Sequence, residues 1–226
     1  MEMGKKTLAV LLALGLMLCG CTKDANPQAT TASTTETTAA SNSTLPKPVS
    51  GNLICEEISR YTGNFVEDGT GRPVQDVAAI RVANNTGKFL QLAMISYKVG
   101  DRKAEFVVTD LPAGGKVWIM ESNALTLEDG DELVLDKITD TYNTNAITST
   151  DDIAVTRQGK SLTLTNKTNR TLKNVAVYYK LTQKDGTFFG GITYLISFDN
   201  LEAGASVTKA ADHFGENATI VRFAYE

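Results

Sequence analysis

An internal repeat is the feature of this sequence that most constrains its fold. Residues 84–98 align with residues 166–180 at a constant offset of 82, and Asn, Thr, Leu, Tyr and Lys recur in place. Further along the chain, residues 110–117 match residues 200–207 at an offset of 90. Two ordered blocks with a single change in length predict two diverged copies of one module, the second copy having one connection that is eight residues longer.

Within each copy the apolar residues alternate with polar ones, a pattern typical of β-strands that bury one face. In the second copy the predicted buried positions are Leu162, Leu164, Val175, Val177, Tyr179 and Leu181. The positions between them, including Lys180, are predicted to face solvent. In the first copy the predicted buried positions are Ile80, Val82, Ala93, Ile95, Tyr97 and Val99.

The remaining patterns indicate the fold class. Apart from an N-terminal apolar run, helical periodicity is confined to a short turn or helix predicted near residues 54–61. Short strands separated by Gly-containing turns, with about 80 to 90 residues per copy, predict an all-β chain. We expect two tandem antiparallel immunoglobulin-like β-sandwich domains, at residues 51–146 and 147–226.

The N-terminal segment has the parts of a secretion signal. Lys5 and Lys6 precede an apolar run of eleven residues that begins at Leu8. This run is shorter than the roughly 18 residues that a membrane-spanning helix needs. Residues 1–20 are therefore predicted to be a signal peptide that is cleaved from the mature protein.

The end of this segment resembles the lipobox of bacterial lipoproteins, with Leu18, Gly20 and Cys21 in the expected order. The resemblance implies that the Cys21 thiol carries a diacylglyceryl group and that a peptidase cleaves before it. Cys19 fits less well because Leu18 would then occupy the position where the motif has a small residue. Acyl chains on Cys21 would make the bacterial cell membrane the first partner, with the protein facing the exterior or the periplasm.

The composition changes after Cys21. Residues 21–50 are rich in Thr, Ser and Pro and contain almost no large apolar side chains. Such a segment cannot bury enough surface to offset the chain entropy lost on ordering. We therefore predict a disordered tether that displays the folded part away from the membrane.

The repeated module resembles a known class of surface domain. Both copies have an Asn, a turn, a Leu and an alternating strand that ends in Tyr97-Lys98 or Tyr179-Lys180, followed by Leu-x-x-Gly. This order is similar to the small β-sandwich modules of Gram-positive surface lipoproteins that are named for a Phe-x-Leu-Tyr-Asp motif. Lys stands where that motif has Asp. The resemblance implies tandem β-sandwiches without a settled biochemical activity.

Several function classes are disfavoured by the sequence. A net charge of −4 at pH 7 gives no basic surface for nucleic acid. No nucleophile, base and acid occur in a recognisable arrangement, so we expect neither enzymatic activity nor a cofactor. His213, the single histidine, follows Asp212 and is predicted to lie in a loop. Cys55 has no disulfide partner after processing and is predicted to be a buried structural thiol.

An acidic turn at residues 128–132 is a weak calcium candidate. Asp129, Asp131 and Glu132 supply the hard oxygen ligands that calcium prefers, beside a Gly. The turn lacks the ligand spacing of an EF-hand loop. A solvated β-turn is therefore favoured over a metal site.

Large apolar residues at predicted solvent-facing positions are candidates for partner contact. Trp118 and Met120 alternate with two residues predicted to be buried, and the second copy has small residues at the matching positions. Phe188 and Phe189 lie in the longer connection of the second copy. Exposed aromatic residues beside Met are typical of contact surfaces. The alternative is that these residues pack against the other domain or against residues 52–76.

These features together predict a function of broad class. We expect a lipid-anchored cell-envelope protein with a non-enzymatic binding or structural role, and a protein or glycan ligand at the cell surface. The alternative function is capture of a solute or metal by the lipoprotein, using the acidic turn together with His213.

Overall fold

The computed structural model describes residues 38–39 and 45–226. The predicted signal peptide and Cys21 lie outside these residues. The described part contains fourteen β-strands and no helix, which confirms the all-β class. Within it, no helix is long and apolar enough to cross a bilayer.

The strands are numbered in chain order. They are β1 (Thr38–Ala39), β2 (Lys47–Ser50), β3 (Leu53–Asn64), β4 (Pro73–Asn84), β5 (Leu90–Val99), β6 (Arg102–Leu111), β7 (Lys116–Met120), β8 (Val134–Tyr142), β9 (Ile153–Gln158), β10 (Ser161–Asn166), β11 (Leu172–Thr182), β12 (Phe188–Leu201), β13 (Ser206–Ala210) and β14 (Ala218–Ala224).

The described strands form three sheets. The largest has the order β1-β3-β4-β7-β12-β11-β14, and β2 also pairs with β3. The two smaller sheets have the orders β6-β5-β8 and β13-β10-β9. Neighbouring strands are antiparallel except at the centre of the large sheet, where β7 and β12 run parallel.

The repeat seen in the sequence is a repeat of topology. In the first copy β3-β4-β7 packs against β6-β5-β8, and in the second copy β9-β10-β13 packs against β12-β11-β14. The predicted inward positions form the two cores, from Ile80 and Ile95 in the first to Leu164 and Val177 in the second. Leu181 differs from this pattern, because a register shift between Tyr179 and Leu181 leaves it only partly buried.

A buried asparagine occupies the same place in each copy. Asn166 has no exposed surface, and its Nδ2 donates to the carbonyls of Arg170 (2.7 Å) and Leu201 (2.9 Å). Its Oδ1 accepts from the backbone N–H of Thr168 at 2.8 Å. Asn84 makes the equivalent bonds within the first copy. The side chain therefore fastens the turn after its strand to the end of the facing sheet.

We expect Asn166→Ala to lower the free energy of unfolding by about 2 kcal/mol, because it leaves buried backbone groups without partners. Chemical denaturation of the full mature chain measures this change. Asn200→Ala is the matched control, since Asn200 is exposed and precedes Leu201, the residue at the end of β12 whose carbonyl binds Asn166. Equal stabilities for the two variants would contradict the role assigned to the buried amide.

The two sandwiches are joined through the large sheet. β12 of the second copy pairs in parallel with β7 of the first, with Phe189 opposite Trp118. An ion pair also crosses between the copies, where Nε of the partly buried Arg222 lies 2.6 Å from Oδ1 of the buried Asp110. The domain boundary between residues 146 and 147 stays a prediction. In the structure, one continuous sheet runs through both copies.

Two local predictions from the sequence are wrong. The turn or helix predicted at residues 54–61 is part of β3, which pairs along its length with β4. Part of the predicted disordered tether, Lys47–Ser50, forms a strand on β3. The reason is that β3 offers backbone hydrogen bonds along its edge, and Val49 buries its side chain there.

Candidate functional site

The candidate site is a cavity of about 130 Å³ beside the junction of β7 and β12. We call it the junction cavity. It is lined by Ser59, Tyr61, Ala79, Trp118, Met120, Gln183 and Phe189. These residues come from β3, β4 and β7 of the first copy and from β12 and the preceding turn of the second. Both copies are therefore needed to form it.

The four predicted contact residues are placed differently from one another. Trp118 and Met120 do face away from the core of the first sandwich, as their phase predicts. The prediction that this face is exposed is wrong for Met120, which is 1% exposed. The predicted contact residue Phe188 is also buried, in the hydrophobic core of the first copy. Met120 packs with Tyr61 and Phe65, and Phe188 packs in the core of the first copy. For these two residues the structure agrees with the alternative, packing against the other domain or against residues 52–76. Trp118 and Phe189 remain partly exposed at the cavity.

The cavity wall is neutral. Ser59 is fully buried, and its Oγ has no hydrogen-bond partner among the described residues. The Tyr61 hydroxyl donates to the Asn64 carbonyl at 2.9 Å, which fixes its ring against Phe189 with centroids 5.6 Å apart. No acidic or basic side chain lines the cavity. The polar side-chain groups of the lining are therefore the buried Ser59 hydroxyl, the Tyr61 hydroxyl and the Gln183 amide.

A cation lies at the edge of the site. The Arg81 guanidinium lies over the Trp118 ring, 5.5 Å from its centroid, which favours a fixed indole orientation. Arg81 is itself held by Glu56 at 3.1 Å and Glu57 at 3.3 Å. The positive charge of Arg81 is therefore balanced by two carboxylates outside the cavity.

Next to the cavity, two ionisable side chains bind the backbone of Gly191 on β12. Glu67 binds its N–H group and Lys180 binds its carbonyl oxygen. We call Glu67, Lys180 and Gly191 the junction cluster. Glu67 accepts from the N–H of Gly191 at 2.8 Å and from the N–H of Met120 at 2.8 Å. Lys180 Nζ donates to the carbonyls of Gly191 (2.8 Å) and Thr109 (3.0 Å). The cluster therefore ties β12 to both β7 and β6.

Burial shifts both titratable groups of the cluster. Removal from water lowers the pKa of Lys180 to about 7, with the carboxylates of Glu67 and Asp110 acting in the opposite direction. Burial raises the pKa of Glu67 to about 7, opposed by the N–H donors of Gly191 and Met120. Shifts of this size occur at active sites. Here Lys180 has no exposed surface and does not line the cavity, so it acts on backbone carbonyls instead.

The cluster depends on a close approach of two strands. A Cβ added to Gly191 would lie 1.8 Å from the carbonyl oxygen of Val107 on β6. Its neighbour Gly190 has a φ of +88°, and a Cβ there would lie 2.6 Å from Val66. Only glycine allows β12 to pass this near to β6 and to the segment after β3.

Strand alternation does not predict the junction cluster. It places Lys180 on a solvated face, because alternation assumes that each strand has one open side. The adjacent pair Gly190-Gly191 inside a strand is the signal that could have indicated a close backbone approach. Glu67 follows the end of β3 in a segment with no recognisable motif, and nothing in the sequence marked it.

The acidic turn is engaged in ion pairs. Asp129 lies 2.8 Å from an Arg60 nitrogen, and Asp131 is paired with Arg102. Glu132 is exposed. Across residues 38–39 and 45–226, no group of three His, Cys, Asp or Glu side chains is placed to hold a metal. The calcium candidate therefore gains no support from side-chain geometry.

Two further candidates are structural residues. His213 is exposed, as predicted for a loop, and its ring centroid lies 5.0 Å from that of Tyr194. Cys55 is buried and free, which confirms the prediction of a structural thiol, and its Sγ lies 3.6 Å from the Glu57 carbonyl oxygen. Burial raises the pKa of Cys55, which disfavours the reactive thiolate.

No protein-family model matches the chain, and no curated protein matches it.

Proposed function

We propose that this protein is a lipid-anchored, non-enzymatic binding module of the bacterial cell envelope, with its ligand site in the junction cavity. The observation that carries the binding role is the composition of that cavity, whose walls come from both copies. Trp118 belongs to the first copy and Phe189 to the second, and each is partly exposed there. Such partly open concave sites with aromatic walls and few polar groups are typical of binding sites.

The chemistry of the cavity supports binding over catalysis. Its lining offers the hydroxyls of Ser59 and Tyr61 and the Gln183 amide, and no carboxylate, histidine or amine to activate them. The perturbed groups nearby, Glu67 and Lys180, are already bonded to backbone atoms that hold the strands together. A reaction would need groups free to exchange protons with a substrate.

The location rests on the N-terminal sequence. Leu18, Gly20 and Cys21 in lipobox order, behind a short apolar run, support lipidation at Cys21 and display outside the cell membrane. The Thr-, Ser- and Pro-rich segment that follows supports a role as a tether. The recurring Asn, Leu and Tyr positions support grouping the modules with those named for the Phe-x-Leu-Tyr-Asp motif.

Replacing Cys21 should release the protein from membranes. In Cys21→Ser the sulfur that would carry the acyl chains is absent, so more than about nine-tenths of the protein should leave the membrane fraction. Fractionation and labelling with a fatty-acid analogue measure this result. Cys19→Ser is the matched control and should stay membrane-bound. A Cys21→Ser protein that still carries label would contradict the anchoring site.

Replacing Trp118 should weaken binding to the envelope. With the soluble Cys21→Ser chain as the parent protein, Trp118→Ala should reduce capture by isolated envelopes about tenfold or more, because central aromatic residues dominate binding energy. Leu195→Ala is the matched control, since Leu195 is a large exposed apolar residue outside the cavity. Thermal unfolding of both variants checks that the fold is intact. Equal capture of the two variants would contradict the proposed site.

A further inference from the structure

We infer that the second copy is a folding template for the first: the second copy folds without help, and its side chains then complete the core of the first. Three features of the molecule lead to this dependence. They are the make-up of the two hydrophobic cores, the connection that supplies the crossing side chains, and the polar character of the contacts made in the opposite direction.

The core of the first copy contains side chains from the second copy. Phe188 and Val221 are 8% and 3% exposed, and both are buried in the first core, where the partly buried Tyr178 also packs. The smaller cluster around Met120 in the first copy is likewise packed by Phe189. Both apolar clusters of the first copy therefore include residues that the second copy supplies.

The core of the second copy is self-contained. Its described members, buried or partly buried, all lie between Ile147 and Tyr225. A segment that supplies every side chain of its own core has what a domain needs to fold alone. The first copy lacks this property, because without the second copy the space that the Phe188 ring fills would be a cavity in the first core.

The longer connection of the second copy provides the crossing rings. In the first copy, β5 and β6 are joined by residues 100–101, whereas β11 and β12 are joined by residues 183–187. The longer hairpin brings Phe188 and Phe189 to β7, and neither ring belongs to the core of its own copy. The eight additional residues of the second copy therefore serve the folding of the first.

The first copy returns polar contacts, not core side chains. The Thr109 carbonyl accepts from Lys180 Nζ at 3.0 Å, and Asp110 Oδ1 lies 2.6 Å from Arg222 Nε. Unfolding of the first copy would return the fully buried Lys180 to water, which removes a cost of burial. The second copy therefore loses no side chain of its own core when the first copy unfolds.

Equivalent positions of the repeat provide a matched pair of variants. Ile95 and Val177 lie 82 residues apart, on β5 and β11, and are 1% and 0% exposed. In the full mature chain bearing Cys21→Ser, Ile95→Asp and Val177→Asp each place an unpaired carboxylate in one core, which should unfold that copy. Hydrogen exchange of the backbone amides, read by mass spectrometry, reports the folding of each strand.

Ile95→Asp should remove protection from β4 and β5 and leave β10 and β11 protected. Val177→Asp should remove protection from both copies, because the first copy then loses Phe188 and Val221 from its core. A first copy that stays protected in Val177→Asp would show that it folds independently. Loss of protection in the second copy of Ile95→Asp would show that the copies fold only together. Either result overturns the template role.

Phe188→Ala tests the crossing ring while leaving both sheets in place. It should raise the equilibrium constant for unfolding of the first copy about a hundredfold or more, since truncation of a buried Phe leaves a cavity. Trp118, the single tryptophan, lies in the first copy, so its emission in urea follows that copy.

Leu195→Ala is the matched control for Phe188→Ala, because Leu195 lies on the same strand and is 53% exposed. It should change the equilibrium constant less than about threefold. An effect of Phe188→Ala no larger than that of Leu195→Ala would mean that the first core does not depend on the ring, and the template role would fail.

Discussion

Gly191→Ala should lower the free energy of unfolding by more than about 3 kcal/mol, at the upper end of what overpacking costs. The added Cβ would lie 1.8 Å from the Val107 carbonyl oxygen, which belongs to backbone and cannot rotate away. β12 must then move outward. That movement breaks the bonds from Glu67 and Lys180 to Gly191 as well.

The measurement is urea unfolding of the mature chain. Gly215→Ala is the matched control because a Cβ there meets nothing nearer than 3.4 Å, at Asn217. Neither glycine has a positive φ, so the comparison isolates the steric effect from backbone strain. We expect the control to stay within about 0.5 kcal/mol of the parent. Similar stabilities for the two variants would mean that β6 and β12 do not approach as described.

The stability of the protein should rise with pH above neutrality by about 1 kcal/mol per pH unit, and Lys180→Met should remove this rise. The folded pKa of Lys180 is about 7, whereas the unfolded chain has an ordinary lysine near 10.4. Between these values the unfolded state binds a proton that the folded state does not. Raising the pH therefore lowers the free-energy cost of removing that proton on folding.

Unfolding free energies of the parent and of Lys180→Met between about pH 7.5 and 9.5 test this sign. Cys55, whose pKa burial raises, contributes in the opposite direction but is present in both proteins. Loss of the Lys180 charge also removes an interaction that lowers the pKa of Glu67, so the variant should be flat or decline with pH. Parallel curves for the two proteins would show that Lys180 does not titrate in this range.

The sequence predicted the parts of the fold that depend on local pattern. Alternation placed Ile80, Ile95 and Val177 in the cores correctly, because a strand has only two faces. The offsets of the repeat predicted two copies, and Asn84 and Asn166 turn out to hold equivalent buried positions. Even the orientation of Trp118 away from the first core followed from its phase.

What the sequence did not predict depends on contacts between the copies. Alternation says which residues share a face but not what covers that face, so Met120 and Lys180 were assigned to solvent although both are buried. The parallel pairing of β7 with β12 joins residues about 70 positions apart in the chain, with no hairpin to indicate it.

The pairing of β7 with β12 also has a direction. It joins unlike edges of two similar modules, head to tail. In the second copy, β13 is the strand equivalent to β7. Among the described strands, β13 pairs only with β10, so a third module joined in the same way would pair with β13. There the exposed Thr208 and Ala210 replace Trp118 and Met120. β13 therefore carries small and polar side chains at the positions where β7 carries the large apolar pair.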